Sequence, residues 1–162
     1  MDEAEKAKLR EINGKDFRAA EIARYYGKKF VDCVHCQLMK YGVFVIPGET
    51  RWECQRCGRC CTGMEGKLKL NIPGLVFDKD GVCEKFDKVS GLCLNHDNKP
   101  WQCKIWPFYG TYDSETHPEV LVVVSSLCTG LGKGEVITDE VYNRLVEYLR
   151  NPKQIQKAFE RC

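Results

Sequence analysis

Four of the chain's eleven cysteines stand in one run, Cys54-Gln55-Arg56-Cys57-Gly58-Arg59-Cys60-Cys61. A segment so rich in thiols and so poor in large apolar side chains has little to contribute to a hydrophobic core. It needs cross-links to hold a shape. The rest of the chain sharpens this constraint. Over 162 residues the charged fraction is 30%, and the mean hydropathy is −0.41. Core material is short, and cross-linking by metal explains how so polar a chain stays folded.

The alternative cross-link is a disulfide, which requires an oxidising compartment. Met1-Asp2-Glu3-Ala4-Glu5-Lys6 is polar and charged, with no apolar signal region. No apolar run approaches the roughly 18 residues of a membrane span. We therefore expect a cytoplasmic protein without membrane association, in which thiols stay reduced. An odd cysteine count also suits a disulfide framework poorly. A net charge of +2 with no basic stripe argues against a nucleic-acid partner, and Lys28, Lys29, Lys67 and Lys69 read as solvated surface.

Periodicity outlines the scaffold. Ala19, Ile22, Ala23, Tyr26 and Phe30 recur at helical steps over residues 16–30. Residues 1–12 are helix-prone but are broken at Asn13-Gly14, so a frayed segment is expected there. Tyr41 to Ile46 is strand-like, and Pro47-Gly48 followed by Arg51-Trp52 predicts a hairpin. Further short strands are expected at Lys67–Ile72, Leu75–Phe77 and Glu119–Ser125, with residues 78–118 mostly turn-forming. Thr138 can cap a last helical region, in which Asp139 and Glu140 favour the first turn and Val141, Leu145 and Leu149 form an apolar stripe. Asn151-Pro152 interrupts that region, and a final helix would carry Ile155 and Phe159.

The expected fold class is α+β: a small cysteine-rich metal-cluster domain with short strands, long loops and helical N- and C-terminal flanks. Residues 1–32 form the first flank, 33–137 the metal-binding domain and 138–162 the second flank, together one compact unit.

Cys54, Cys57 and Cys60 follow C-x-x-C-x-x-C, a spacing that commonly holds three corners of a cubane cluster. Gly58 permits the tight turn and exposes backbone N–H groups to cluster sulfurs. Cys61 directs its side chain differently from Cys60 and need not reach the same metal. With Cys83, Cys93, Cys103 and Cys128 the candidates number eight, enough for two sites of four ligands. The expected cofactors are two 4Fe-4S iron–sulfur clusters, with zinc as the alternative. A rival partition joins Cys33-x-x-Cys36 to Cys54-x-x-Cys57 as a zinc ribbon. Spacing alone leaves both open.

Residues 54–134 resemble the CxxCxxCC family of zinc- or iron-chelating proteins (the YkgJ type). Cys54, Cys57, Cys60 and Cys61 match its motif. Gly81-Val82-Cys83-Glu84-Lys85-Phe86 and Gly91-Leu92-Cys93 are similar to its second and third cysteine positions. Lys99-Pro100-Trp101-Gln102-Cys103-Lys104-Ile105-Trp106-Pro107-Phe108 resembles its R-P-x-x-C-x-x-[FWY]-P-[FW] stretch, and Cys128-Thr129-Gly130-Leu131-Gly132-Lys133-Gly134 its closing C-x-G-x-G-x-G. The resemblance covers about half of the chain and implies that Cys54 through Cys61 act as one unit. Lys99 replaces the family's arginine, a point charge for a planar fork. Cys33, Cys36 and Cys162 lie outside the pattern.

Other residues carry weaker signals. His35 and His96 adjoin cysteines, and His117 completes the histidines, but a surface position is the commoner outcome for each. Trp101, Trp106, Pro107 and Phe108 are candidates to shield a cluster or to join the core. Cys33 and Cys36 are a dithiol, half of a third site or an extra ligand pair, and Cys162 is read as a free thiol. There is no phosphate loop, H-E-x-x-H or G-x-S-x-G, and Gly130, Gly132 and Gly134 read as a turn. The expectation is a non-catalytic electron-transfer protein or an accessory factor of a larger redox or metalloenzyme complex, with the apolar stripes of the flanks available for docking. The alternatives are a structural zinc module and, as the resemblance implies, a cluster-dependent protein lysine N-methylase.

Overall fold

A computed structural model of the chain describes residues 1–15, 41–62, 75–95, 97–100, 103, 105–113 and 117–150. The expected helix over 16–30, the strand at 67–72 and the final helix after 151 lie outside these residues, as do Cys33, His35, Cys36, His96 and Cys162.

Among the described residues, two helices and three small antiparallel sheets make a mixed α+β fold. Helix α1 spans Glu3–Asn13, with Asp2 capping it by accepting the Glu5 N–H at 2.8 Å. This helix is not frayed as expected. Leu9 and Ile12 are buried, and the Asn13 side chain accepts the Phe44 N–H at 2.8 Å and donates to the Phe44 carbonyl at 3.0 Å. Arg10 binds Glu49 in the following turn and Glu3 on its own helix. Asn13, a helix breaker by sequence, thus becomes the clasp that holds α1 to the sheet.

Strands β1 (Gly42–Phe44), β5 (Phe108–Asp113) and β6 (His117–Ser125) form the main sheet in the order β1-β6-β5. Its register places Phe44 opposite Val123 and Phe108 opposite Val124. The residues of central β6 from Val120 to Ser125 are all buried, as a nearly continuous apolar run requires when both faces are covered. Val120, Val122 and Val124 share one face with Val45, Ile105 and Phe108.

Helix α2, Asp139–Leu149, closes that face with Tyr142 and Leu149. Thr138 caps it as the sequence predicts, accepting the Val141 N–H at 3.3 Å. The predicted stripe is rotated, however. The core face consists of Tyr142, Leu145, Val146 and Leu149, while Val141 is exposed. The apolar residues of α2 therefore serve largely the domain's own core.

The expected hairpin over 41–52 does not form. Pro47-Gly48 does turn the chain, with Glu49 and Thr50 N–H both donating to the Ile46 carbonyl. The two strands then part, β1 to β6 and β2 (Arg51–Trp52) to β7 (Leu131–Val136). Two strands inside regions read as loop, β5 and β7, supply the partners that overrule the local pairing. A third pair, β3 (Phe86–Asp87) with β4 (Leu92–Cys93), is a short hairpin. Leu75–Phe77 contributes only a bridge between Phe77 and Cys83.

Candidate metal centre

The thiol-bearing loops hang from β2, β7 and the β3–β4 hairpin. Leaving β2, the chain runs through Cys54 and Cys57 into a 3-10 turn, Arg59–Thr62, which carries Cys60 and Cys61. Gly58 has φ +70°, a conformation that favours glycine. A Cβ there would also stand 2.5 Å from the Phe86 ring. The thiol loop can press on the β3–β4 hairpin only because this position has no side chain. Gly130 plays the same part on the other side. Its added Cβ would fall 2.1 Å from the Glu53 carbonyl oxygen, and its own carbonyl accepts the Glu53 N–H at 3.1 Å. The glycines after Cys128 are thus not a free turn; they let β7 close on β2 beside Cys54.

This framework groups the eight candidate cysteines. Cys60 interacts electrostatically with Cys128, Cys61, Cys57 and Cys54. Cys61 interacts with Cys93, Cys83 and Cys103, and Cys103 in turn with Cys83 and Cys93. Apart from the coupling of Cys60 to Cys61, these neighbours fall into two groups, Cys54, Cys57, Cys60 and Cys128 in the first, and Cys61, Cys83, Cys93 and Cys103 in the second. They adjoin at the Cys60–Cys61 peptide. The second set is tied together by backbone, since the Cys83 N–H donates to the Cys61 carbonyl at 2.7 Å. A cavity of about 350 Å³ is lined by six of the eight thiols, all but Cys57 and Cys128. Trp52, Phe77, Pro100 and Trp106 form its apolar wall, and Lys85, Asn95 and Lys99 add polar groups.

Electrostatics reflect this crowding. Burial, then the neighbouring thiols, push Cys60 up to about 12. Cys60 is exposed as a residue and lines the cavity. Burial and the second-set thiols push Cys61 up to about 11, opposed by the charge of Lys99. Cys103 is raised for the same reasons. Cys57 goes the other way. Burial raises it, but the Thr129 hydroxyl, the backbone N–H groups of Arg59 and Cys57, and the Arg59 charge together bring it below the ordinary thiol value.

Side-chain donors to sulfur are a feature the sequence reading did not anticipate. The Thr129 hydroxyl donates to Cys57 Sγ at 3.3 Å, and the Trp52 indole N–H to Cys128 Sγ at 3.4 Å. Trp52 is fixed edge-on against Phe108 of the core, with ring centroids 4.9 Å apart. Neither contact has a spacing signal, because each depends on β2 meeting β7. Of the aromatic candidates, Trp106 lines the cavity and stacks on Tyr109, while Pro107 and Phe108 are buried, Phe108 in the core. Trp106 Nε1 is buried and has no hydrogen-bond partner among the described residues. His117 pairs with Asp113 at the far end of β6. The eight residues to Ser125 span about 27 Å at strand rise, which removes His117 from the thiol sets.

Eight soft thiol donors, hydrogen-bond donors aimed at two of them and an unpartnered indole N–H in the wall make a donor set that fits thiolate-bound iron–sulfur groups. Among the described residues, no three histidine, cysteine or acidic side chains stand close enough to hold a single metal ion. Also among those residues, no helix is long and apolar enough to cross a membrane. Compared with models of known protein families, with curated proteins and with solved structures, the chain has no significant match.

Proposed function

We propose that this chain is an iron–sulfur protein of the CxxCxxCC type, with one four-iron cluster on each thiol set, working in the cytoplasm within a larger redox or metalloenzyme complex. The observation that carries the reading is the gathering of Cys54, Cys60, Cys61, Cys83, Cys93 and Cys103 around one cavity. Such a group, when bound, supplies one-electron chemistry.

The chain's own residues do the rest. Cys54, Cys57, Cys60 and Cys128 would hold one group, and Cys61, Cys83, Cys93 and Cys103 the other. Thr129 and Trp52 orient and partly neutralise two of the first set's sulfurs, and Lys99 offsets charge at the second. Trp106 and Phe77 keep water from the shared cavity. The sequence carries no recognisable acid–base pair or nucleotide loop, and an electron carrier or accessory factor is therefore proposed ahead of a methylase.

Zinc is the competing occupant, since two tetrahedra would use the same eight thiols. A zinc–sulfur bond of about 2.3 Å places ligand sulfurs about 3.8 Å apart. Both occupants use the same thiols, and metal analysis separates them. Anaerobic purification with iron, zinc and acid-labile sulfide analysis is the test. Brown protein with sulfide close to stoichiometric with iron is expected. One or two zinc ions per chain and no sulfide, in protein never exposed to air, would overturn the proposal.

A further inference from the structure

We propose that the Asn13-Gly14 peptide is a self-modifying site, at which spontaneous deamidation of Asn13 releases α1 from the sheet irreversibly. The inference is independent of what the thiols hold.

Asn13 is the only asparagine of the chain that is followed by glycine. Glycine puts no side chain beside the nitrogen that must attack, and it admits backbone angles closed to other residues. Once a base in solvent has taken its proton, the Gly14 nitrogen bonds to Asn13 Cγ. The Cγ–Nδ2 bond breaks, and Nδ2 takes up a proton and leaves as ammonia. Water then opens the cyclic imide. The product is aspartate at position 13, or an isoaspartyl link in which the main chain runs through Cγ.

The fold holds both reacting groups away from this path. The Gly14 N–H is tied into the last turn of α1, donating to the Arg10 and Glu11 carbonyls at 3.1 and 3.2 Å. The Asn13 amide is held against Phe44, accepting its N–H at 2.8 Å and donating to its carbonyl at 3.0 Å. Both must let go before the ring can close, so the rate follows how often α1 opens. The product does not fit the clasp. A carboxylate has no N–H for the Phe44 carbonyl, and two acceptors would face each other where a hydrogen bond of 3.0 Å stood. The new negative charge also sits at the C-terminal end of a helix, where the macrodipole disfavours it.

The experiment is timed incubation of the full chain at mildly alkaline pH with thiols kept reduced, folded and in urea. Peptide mass spectrometry follows Asn13, and hydrogen exchange follows α1. The folded chain should convert roughly tenfold more slowly than the unfolded one, and converted chains should lose protection over residues 3–13. Asn13→Asp should lack that protection from the start. Gly14→Ala suits the fold, since φ is −79° and an added Cβ would meet only carbonyl oxygens at 3.5 and 3.6 Å. It should keep both α1 protection and Asn13 intact through the incubation. Arg10→Gln removes the ion pairs with Glu49 and Glu3 without touching the clasp, and should speed conversion about two- to fivefold. Equal rates in the folded and unfolded chains would overturn the inference. So would a folded chain that never converts, or an Asn13→Asp variant with α1 fully protected.

Discussion

Along β6, Val122, Val123 and Val124 are fully shielded from solvent, whereas on the β3–β4 hairpin Val89 is 97% exposed and Leu94 72%. The sheet with its two helices is an ordinary packed core, in which strands pair over long sequence distances and apolar side chains meet. The thiol region has two-residue strands, turns and few buried side chains, Cys83 among them. Apolar burial at roughly 25 cal/mol per Å² can hold the first region together but not the second. The difference teaches that one small domain holds two unequal regions, and under the proposed function ligation orders the second, site formation and folding sharing one free energy.

The contrast breaks most completely if the metal is removed. Chelation under reducing conditions should abolish hydrogen-exchange protection over residues 54–62 and 75–103, while β1, β5, β6 and α2 retain theirs. Equal loss in both regions, measured by exchange mass spectrometry, would mean that the halves share one source of order.

Single thiols come next. Cys83→Ser and Cys128→Ser should each remove about half of the bound iron, because they belong to different sets. The double variant should remove nearly all of it. Complete loss from either single variant, by metal analysis, would merge the two sets into one.

The packed half is probed by Val123→Ala, which deletes two buried methyl groups from the centre of the sheet. It should cost about 2–3 kcal/mol in denaturant unfolding and leave iron per folded chain unchanged.

The smallest effect is a dependence on pH in the packed half. The Arg10 guanidinium, hydrogen-bonded to Glu49, holds that carboxyl below the ordinary carboxylate value. As pH falls the unfolded chain takes up this proton first and is favoured, so stability should drop slightly on acidification. Melting curves of wild type and Glu49→Gln at a series of acid pH values check the sign, the variant losing this part of the dependence.

What could be read in the sequence follows the same division. The Cys54–Cys61 run was legible as a candidate site because its spacing is local, as were the Thr138 cap and the buried β6, which has a continuous apolar run. The partner of each strand was not. Arg51-Trp52 looks like the return arm of a hairpin until β7 is known to exist, and β7, with glycines at 132 and 134, has almost no strand signal. Gly134, like Gly130, answers to steric contact with Glu53, at a distance in sequence that no pattern reports. Thr129 and Trp52 were overlooked for the same reason, since their sulfur contacts exist only after β2 and β7 have met. The grouping of cysteines into sets likewise required the loops to be placed in space.

The clasp at Asn13 has a consequence of another kind. Among the described residues β1 is an outer strand in the order β1-β6-β5, and its outward-facing peptide groups could template the strand of a second molecule. The Asn13 amide occupies both the N–H and the carbonyl of Phe44, imitating one residue of a neighbouring strand that goes no further. The amino-terminal helix thereby acts as a guard against self-association. A chain cut after Gly14 would present that edge to its own copies, beside apolar surface that Leu9 and Ile12 had covered.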